Sequence, residues 1–181
     1  MRVEARTHEN RLMKVILYAA VSVDGKLAEA TGQVSTDWTS EADYKWFVAQ
    51  TKVCGVVAMG RKTFSTISRP LKDRLLYVMT RSPESCEPMG DSVIFTSMTP
   101  EEIVADAEAR GYKTLALAGG SEIHTLFFEA GLVDEIYLTV EPVLFGHGVP
   151  LTGEQSRVNL ELIDTERLGE QAVLLHYRVK K

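Results

Sequence analysis

Three short, unbroken apolar runs most constrain this chain: Val15 to Val21, Val53 to Met59 and Leu115 to Ala118. None approaches the length of a membrane-spanning helix. Each lacks the polar alternation of a strand with one wet face. Runs of this kind read as strands buried on both faces, the signature of a parallel sheet covered by helices on each side.

Between the runs lie helical signals. Ser40 caps a helix running to about Thr51, and a short helix follows from Arg61 to Ile67 until Pro70 closes it. Thr99-Pro100-Glu101-Glu102 combines a threonine cap, a proline at the first helical position and a glutamate that reaches back. Gly111 ends that helix, and Gly131 ends another that begins at Ser121. Further strands are expected at Leu75 to Met79, Val93 to Phe95 and Val133 to Val140, with a polar loop from Ser22 to Trp38. Leu160 to Ile163 and Ala172 to Val179 read as a closing antiparallel pair around Gly169. The expectation is an α/β three-layer fold: a mixed sheet, mostly parallel, with an antiparallel C-terminal edge, flanked by helices.

The 181 residues suit one domain over 13–181, after a disordered or tag-like leader at 1–12. A net charge of -5 argues against nonspecific nucleic-acid binding. Cys54, placed in an apolar strand, and Cys86 have no metal-ligand spacing, so neither a disulfide framework nor a zinc site is indicated. Cytoplasm is the expected location, with neither membrane nor nucleic acid as a partner. A homodimer is left open.

Two strand-to-helix junctions carry the chemistry. At Met59-Gly60-Arg61-Lys62-Thr63 a strand ends in a glycine, and the following helix start bears two cations and a hydroxyl. Helix starts attract anions, and arginine grips phosphate bidentately. The competing reading is an ordinary solvated helix start. At Ala118-Gly119-Gly120-Ser121 a ligand could approach the backbone with no Cβ in the way, though a tight turn would look the same. Two such junctions suggest a dinucleotide across the carboxyl edge of the sheet. Asp43, with Trp46 and Phe47 three and four residues on, shares the apolar helix face. A carboxylate there needs a partner or a ligand, although the third helical position also permits simple capping. Thr139 is equally a good strand former, His124 a packed residue, and Arg74 a surface charge or an anchor for a carboxylate.

From Met13 onward these segments resemble the dihydrofolate reductase superfamily. The resemblance rests on Tyr18 to Ala28, on Trp38, Asp43, Trp46 and Phe47, and on Met59 to Phe64 with Ser68 to Leu71. It implies NADPH as cofactor, against Ala20, Gly60, Arg61, Lys62, Thr63, Thr80, Arg81, Ser82, Gly119, Gly120, Ser121, Glu122 and Ile123. It also implies a cis peptide at Gly119-Gly120. The substrate, a small heterocycle, would meet Ala19, Trp38, Asp43, Phe47, Arg74 and Thr139, with Asp43 catalytic. Gly131 to Glu135 and Pro142 to Leu151 instead look like the reductase domain of riboflavin biosynthesis, as does Ser22 to Lys26. The site residues tip the reading slightly toward dihydrofolate. The alternative is 5-amino-6-(5-phosphoribosylamino)uracil reductase, and a third reading is a non-catalytic nucleotide-binding protein.

Overall fold

The computed structural model describes residues 11–155 and 157–181. Most of the expected leader, residues 1–10, lies outside the described residues. Arg11 donates to the Leu132 carbonyl at 2.7 Å and pairs with Asp134.

The chain runs β1 (Lys14–Val21), β2 (Lys26–Ala28), α1 (Glu41–Cys54), β3 (Val56–Gly60), α2 (Arg61–Ser65), β4 (Leu75–Met79) and β5 (Val93–Thr96). It continues through α3 (Pro100–Ala109), β6 (Thr114–Leu117), α4 (Ser121–Glu129), β7 (Glu135–Val140), β8 (Val149–Pro150), β9 (Leu160–Leu168) and β10 (Ala172–Val179). Eight strands form one sheet in the order β5-β4-β3-β6-β1-β7-β10-β9, and β2 pairs with β8. The first six in that order are parallel neighbours, while β10 lies antiparallel to both β7 and β9. The expected mixed sheet is therefore the one formed.

Two cores lie on opposite faces of this sheet, and the strand period of two assigns residues to each. Val15, Leu17, Val56, Ala58, Leu75, Tyr77, Leu115 and Leu117 pack with Ile103, Val104 and Ala107 of α3 and Ile123 and Phe127 of α4. Ile16, Tyr18, Val57, Met59, Leu76, Val78 and Ala116 pack with Trp46, Phe47 and Cys54 of α1 and Phe64 of α2. Both faces are dry, which explains the unbroken apolar runs.

Four boundaries differ from the expectation. Val53 and Cys54 are not strand residues but the last turn of α1, which stops at Gly55 with φ 72°. Gly55 reaches the left-handed conformation without a Cβ penalty, and its N–H bonds the Thr51 carbonyl at 3.1 Å. Val53 is 85% exposed while Cys54 is buried, a helical rather than a strand pattern. The stretch from Ser22 to Trp38 is not all loop: β2 lies within it, and a 3-10 turn spans Ser35–Asp37. β7 begins at Glu135, and β9 extends to Leu168 as an exposed, charge-rich edge strand. Both caps form as expected, Ser40 accepting from the Asp43 amide and Thr99 making a full capping box with Glu102.

Candidate functional site

β6 separates β1 from β3, so the chain reverses its winding direction at these strands, and open α/β sheets bind ligands at such a point. Pairing of β1 with β6 ends at Leu17↔Leu117. Beyond that pair, Tyr18, Ala19 and Ala20 on one side and Ala118, Gly119 and Gly120 on the other line a single cleft of ≈ 1970 Å³. Drug-sized ligands occupy roughly 300–1,000 Å³, so this cleft has room for a dinucleotide and a second small molecule.

One half of the cleft is built from strand ends. Gly60, Arg61, Lys62, Thr63, Thr80, Arg81, Gly119, Gly120, Ser121, Glu122 and Ile123 all line it, as does Ala20. The Gly60 N–H donates to the Gly119 carbonyl at 2.8 Å, and the Gly119-Gly120 peptide is cis. A Cβ on Gly60 would stand 2.9 Å from Ile123 Cγ1, and one on Gly120 would stand 3.1 Å from Thr63 Oγ1. The two junctions touch each other here and leave no room for side chains. Arg61 Nη1 donates to Ser85 Oγ at 3.2 Å, and Lys62 faces Glu122 at 3.4 Å. Ser82 is not part of the lining. Its amide turns to Thr80 Oγ1 and its carbonyl accepts from Ser85 Oγ, because it opens the 3-10 turn Pro83–Ser85. Guanidinium groups, hydroxyls and a free helix start make a donor set that fits the anionic diphosphate and 2′-phosphate of a phosphorylated dinucleotide.

The other half holds Asp43. Its side chain is 9% exposed and lies on the cleft wall with Ala19, Phe47, Arg74 and Thr139. Burial pushes the Asp43 carboxyl above the ordinary carboxylate range; the Thr139 hydroxyl opposes this, and the charge of Glu141 reinforces it. The simple capping alternative is not what the chain adopts: the Ser40 N–H bonds Glu141 Oε1 at 2.8 Å, leaving the Asp43 carboxyl free to face the cleft. Trp38 does not reach the lining. Its ring packs edge-on against Phe145, with centroids 5.0 Å apart, and its Nε1 has no partner.

Arg74 is buried and held at two points, Nη1 to Thr51 Oγ1 at 2.7 Å and Nε to the Lys72 carbonyl at 3.1 Å. It lines the cleft together with Lys52, Arg69 and Lys72, three cations that motif reading did not place in the site. Leu27, Ala28 and Val149 of the β2–β8 pair were missed as well, because strands of two or three residues leave no periodic trace. His124 also lines the cleft. It is 1% exposed, and its Nδ1 bonds the Leu151 carbonyl at 2.8 Å, tying the segment after β8 to α4. Burial drives its pKa down to about 4, so the ring is neutral and Nδ1 donates. Among the described residues no three His, Cys, Asp or Glu side chains cluster to hold a metal, and no helix is long and apolar enough to cross a membrane.

A mixed sheet with two helical layers and this crevice define a dihydrofolate reductase-like fold. A dihydrofolate reductase from Enterococcus faecalis, solved with NADP(H), superposes with a TM-score of 0.68 at 22% identity, over 93% of this chain and 97% of that one. The sequence itself is more specific. Residues 13–174 match the model of the RibD C-terminal domain, and the chain belongs to that family of reductase domains. Among curated relatives, YwjB of Bacillus subtilis (strain 168) is 32% identical over 91% of this chain and 97% of its own length. The 2,5-diamino-6-ribosylamino-4(3H)-pyrimidinone 5′-phosphate reductase of Methanothermobacter thermautotrophicus is 26% identical, covering 92% of this chain and 91% of that protein. These likenesses favour the riboflavin-type alternative over the dihydrofolate preference drawn from Asp43, Arg74 and Thr139.

Proposed function

We propose that this chain is an NADPH-dependent reductase of a ribosylaminopyrimidine 5′-phosphate. The observation that carries the reading is the make-up of the cleft lining. Asp43, whose carboxyl burial pushes above the ordinary range, lines the same cleft as four basic residues, Arg69, Lys72, Arg74 and Lys52, the last also paired with Asp73 at 3.4 Å. A folate tail offers single carboxylates, for which one arginine suffices. A phosphate monoester carries about −1.5 to −2 charges and three acceptor oxygens, and a cationic cluster suits it better.

The donor set at Arg61, Lys62, Arg81 and Ser121 would hold the phosphates of the cofactor, with Gly119, Gly120 and Ala20 admitting its nicotinamide. Bound there, NADPH supplies a hydride. The remaining chemistry belongs to this chain. A ribosylamine accepts hydride at C1′ only after its C1′–O4′ bond breaks, which leaves a C1′=N iminium and an O4′ that must take a proton. Asp43 is the acid placed to donate it, and burial raises its hold on a proton above that of an ordinary carboxylate. Thr139 orients the carboxyl, Ala19 leaves space for a flat ring, and Arg74 anchors the phosphate end. Positioning supplies the rest of the acceleration.

The experiment follows NADPH absorbance with 5-amino-6-(5-phosphoribosylamino)uracil and with dihydrofolate in parallel, on wild type and Asp43→Asn. Oxidation is expected with the sugar phosphate. The variant should lose about 10²-fold or more in kcat while still quenching on NADPH binding. Turnover of dihydrofolate alone would restore the folate reading, which the Asp43–Thr139 pair and the dihydrofolate reductase-like fold both suit. Cofactor binding with no turnover of either would favour the non-catalytic reading.

A further inference from the structure

One nitrogen of the His124 ring has a partner and the other has none. Nδ1 donates to the Leu151 carbonyl at 2.8 Å, so in the neutral ring Nε2 is a bare acceptor. The residue is 1% exposed, and Nε2 is buried with no hydrogen-bond partner among the described residues. It abuts the Gly119 backbone: a Cβ on Gly119 would stand 3.4 Å from Nε2 and 3.6 Å from Cε1. His124 lines the cleft there beside Gly119, Gly120 and Ser121. The tether to Leu151 does not account for a second ring nitrogen. Thr125 already holds the same segment, its Oγ1 accepting from the Gly153 amide at 2.8 Å and donating to the Ser121 carbonyl at 2.8 Å. A buried acceptor left unmet is costly, and a side chain bearing the donor alone would avoid that cost.

We propose that His124 is a cofactor-binding residue whose Nε2 accepts a hydrogen bond from the nicotinamide riboside half of NADPH. This rests on the reading of the cleft as an NADPH site. The chemistry of the cofactor narrows the contact. Its diphosphate carries no proton to give at neutral pH, and a lone pair would repel it. The adenine amine lies at the opposite end of the molecule from the nicotinamide. The donors left for the Gly119-Gly120 turn are the carboxamide N–H and the ribose hydroxyls. Gly119 carries no Cβ to cover the nitrogen, so the acceptor stays open to that side. A bond made there completes the hydrogen bonding of the ring. It also fixes the end of the cofactor whose hydride must face the substrate.

Two substitutions separate the ring nitrogens. His124→Asn keeps a donor at the place of Nδ1 and offers nothing at Nε2, whereas His124→Gln carries an amide oxygen out to the place of Nε2. Affinity for NADPH, read by its fluorescence without turnover, should weaken about tenfold in His124→Asn and stay within about threefold of wild type in His124→Gln. Adenosine 2′,5′-bisphosphate, which lacks the nicotinamide half, should bind all three proteins alike. A histidine that only tethers Leu151 gives the reverse order, with His124→Gln the weaker binder, and that result overturns the proposal. So does an equal loss of the bisphosphate. The 3-acetylpyridine analogue of NADPH, with a methyl in place of the amide nitrogen, names the donor. A wild-type advantage that vanishes with it assigns the bond to the carboxamide, and one that persists assigns it to a ribose hydroxyl. Nitrogen-15 NMR of the wild-type imidazole needs no variant to fold: an Nε2 resonance unmoved on saturation with NADPH is equally fatal. NADPH binding with the expected order, but no turnover of either substrate, would leave this contact standing and sink the functional reading. No binding of NADPH by wild type would sink both.

Discussion

At the scale of single residues, His124 shows how burial decides a role that residue type leaves open. Solvated, it would titrate near 6.5; enclosed between α4 and the Leu151 carbonyl, it stays neutral to about pH 4. The unfolded chain therefore binds a proton between pH 6.5 and 4 that the folded one refuses. Stability from this site is complete above pH 6.5 and declines as pH falls toward 4, by about 3 kcal/mol in all. His124→Gln, which does not titrate, should flatten that part of the stability-against-pH curve measured by urea unfolding. Arg74 is a second case. Its guanidinium is directed by Thr51 and Lys72 at once, a fork that a lysine ammonium cannot reproduce. Arg74→Lys should raise KM for the phosphorylated substrate about tenfold, near 1.4 kcal/mol, and leave kcat close to wild type.

At the scale of elements, the helix starts were legible and one helix end was not. Ser40 and Thr99 announce their helices through side chains that bond the adjacent backbone, a contact written within four residues. The end of α1 is hidden because Val53-Cys54-Gly55-Val56-Val57 reads as one apolar run. Gly55 divides it, and the division follows from its φ of 72° and from tertiary packing beneath Tyr112. A Cβ there would lie 3.2 Å from the Tyr112 ring. Gly55→Ala should therefore cost about 1 kcal/mol or more, read as a Tm lowered by about 3 °C. β9 was cut short for a different reason. Glu161, Asp164, Glu166 and Arg167 make it look like a loop, yet they are what an exposed edge strand carries against unwanted pairing.

At the scale of the whole molecule, the cleft is closed on one side by the β2–β8 pair, and a single carboxylate latches it. Asp24 accepts from Ser22 Oγ at 2.6 Å, from the Phe145 amide at 3.1 Å and from the Gly146 amide at 2.8 Å. The Ser22 hydroxyl, followed by these amides, holds its pKa down to about 2. The latch is thus complete above the ordinary carboxylate pKa, and it loosens only as pH falls from about 3.8 toward 2. Asp24→Ala should accelerate hydrogen exchange at Phe145 and Gly146 and raise KM at neutral pH, with little change in Tm. Gly148 makes the same closure possible at β8: a Cβ there would fall 2.1 Å from the Ala28 carbonyl.

The buried parallel strands and the two glycine junctions were determined by the sequence alone, because each is a property of a few consecutive residues. The surroundings of Asp43 and Arg74 were decided only by tertiary structure. Asp43 lies about a hundred positions from Thr139 and Glu141, and Arg74 meets Thr51 only once α1 and the segment before β4 are packed together. Burial and contacts of this kind depend on distance in space, which the spacing of residues along a chain does not encode.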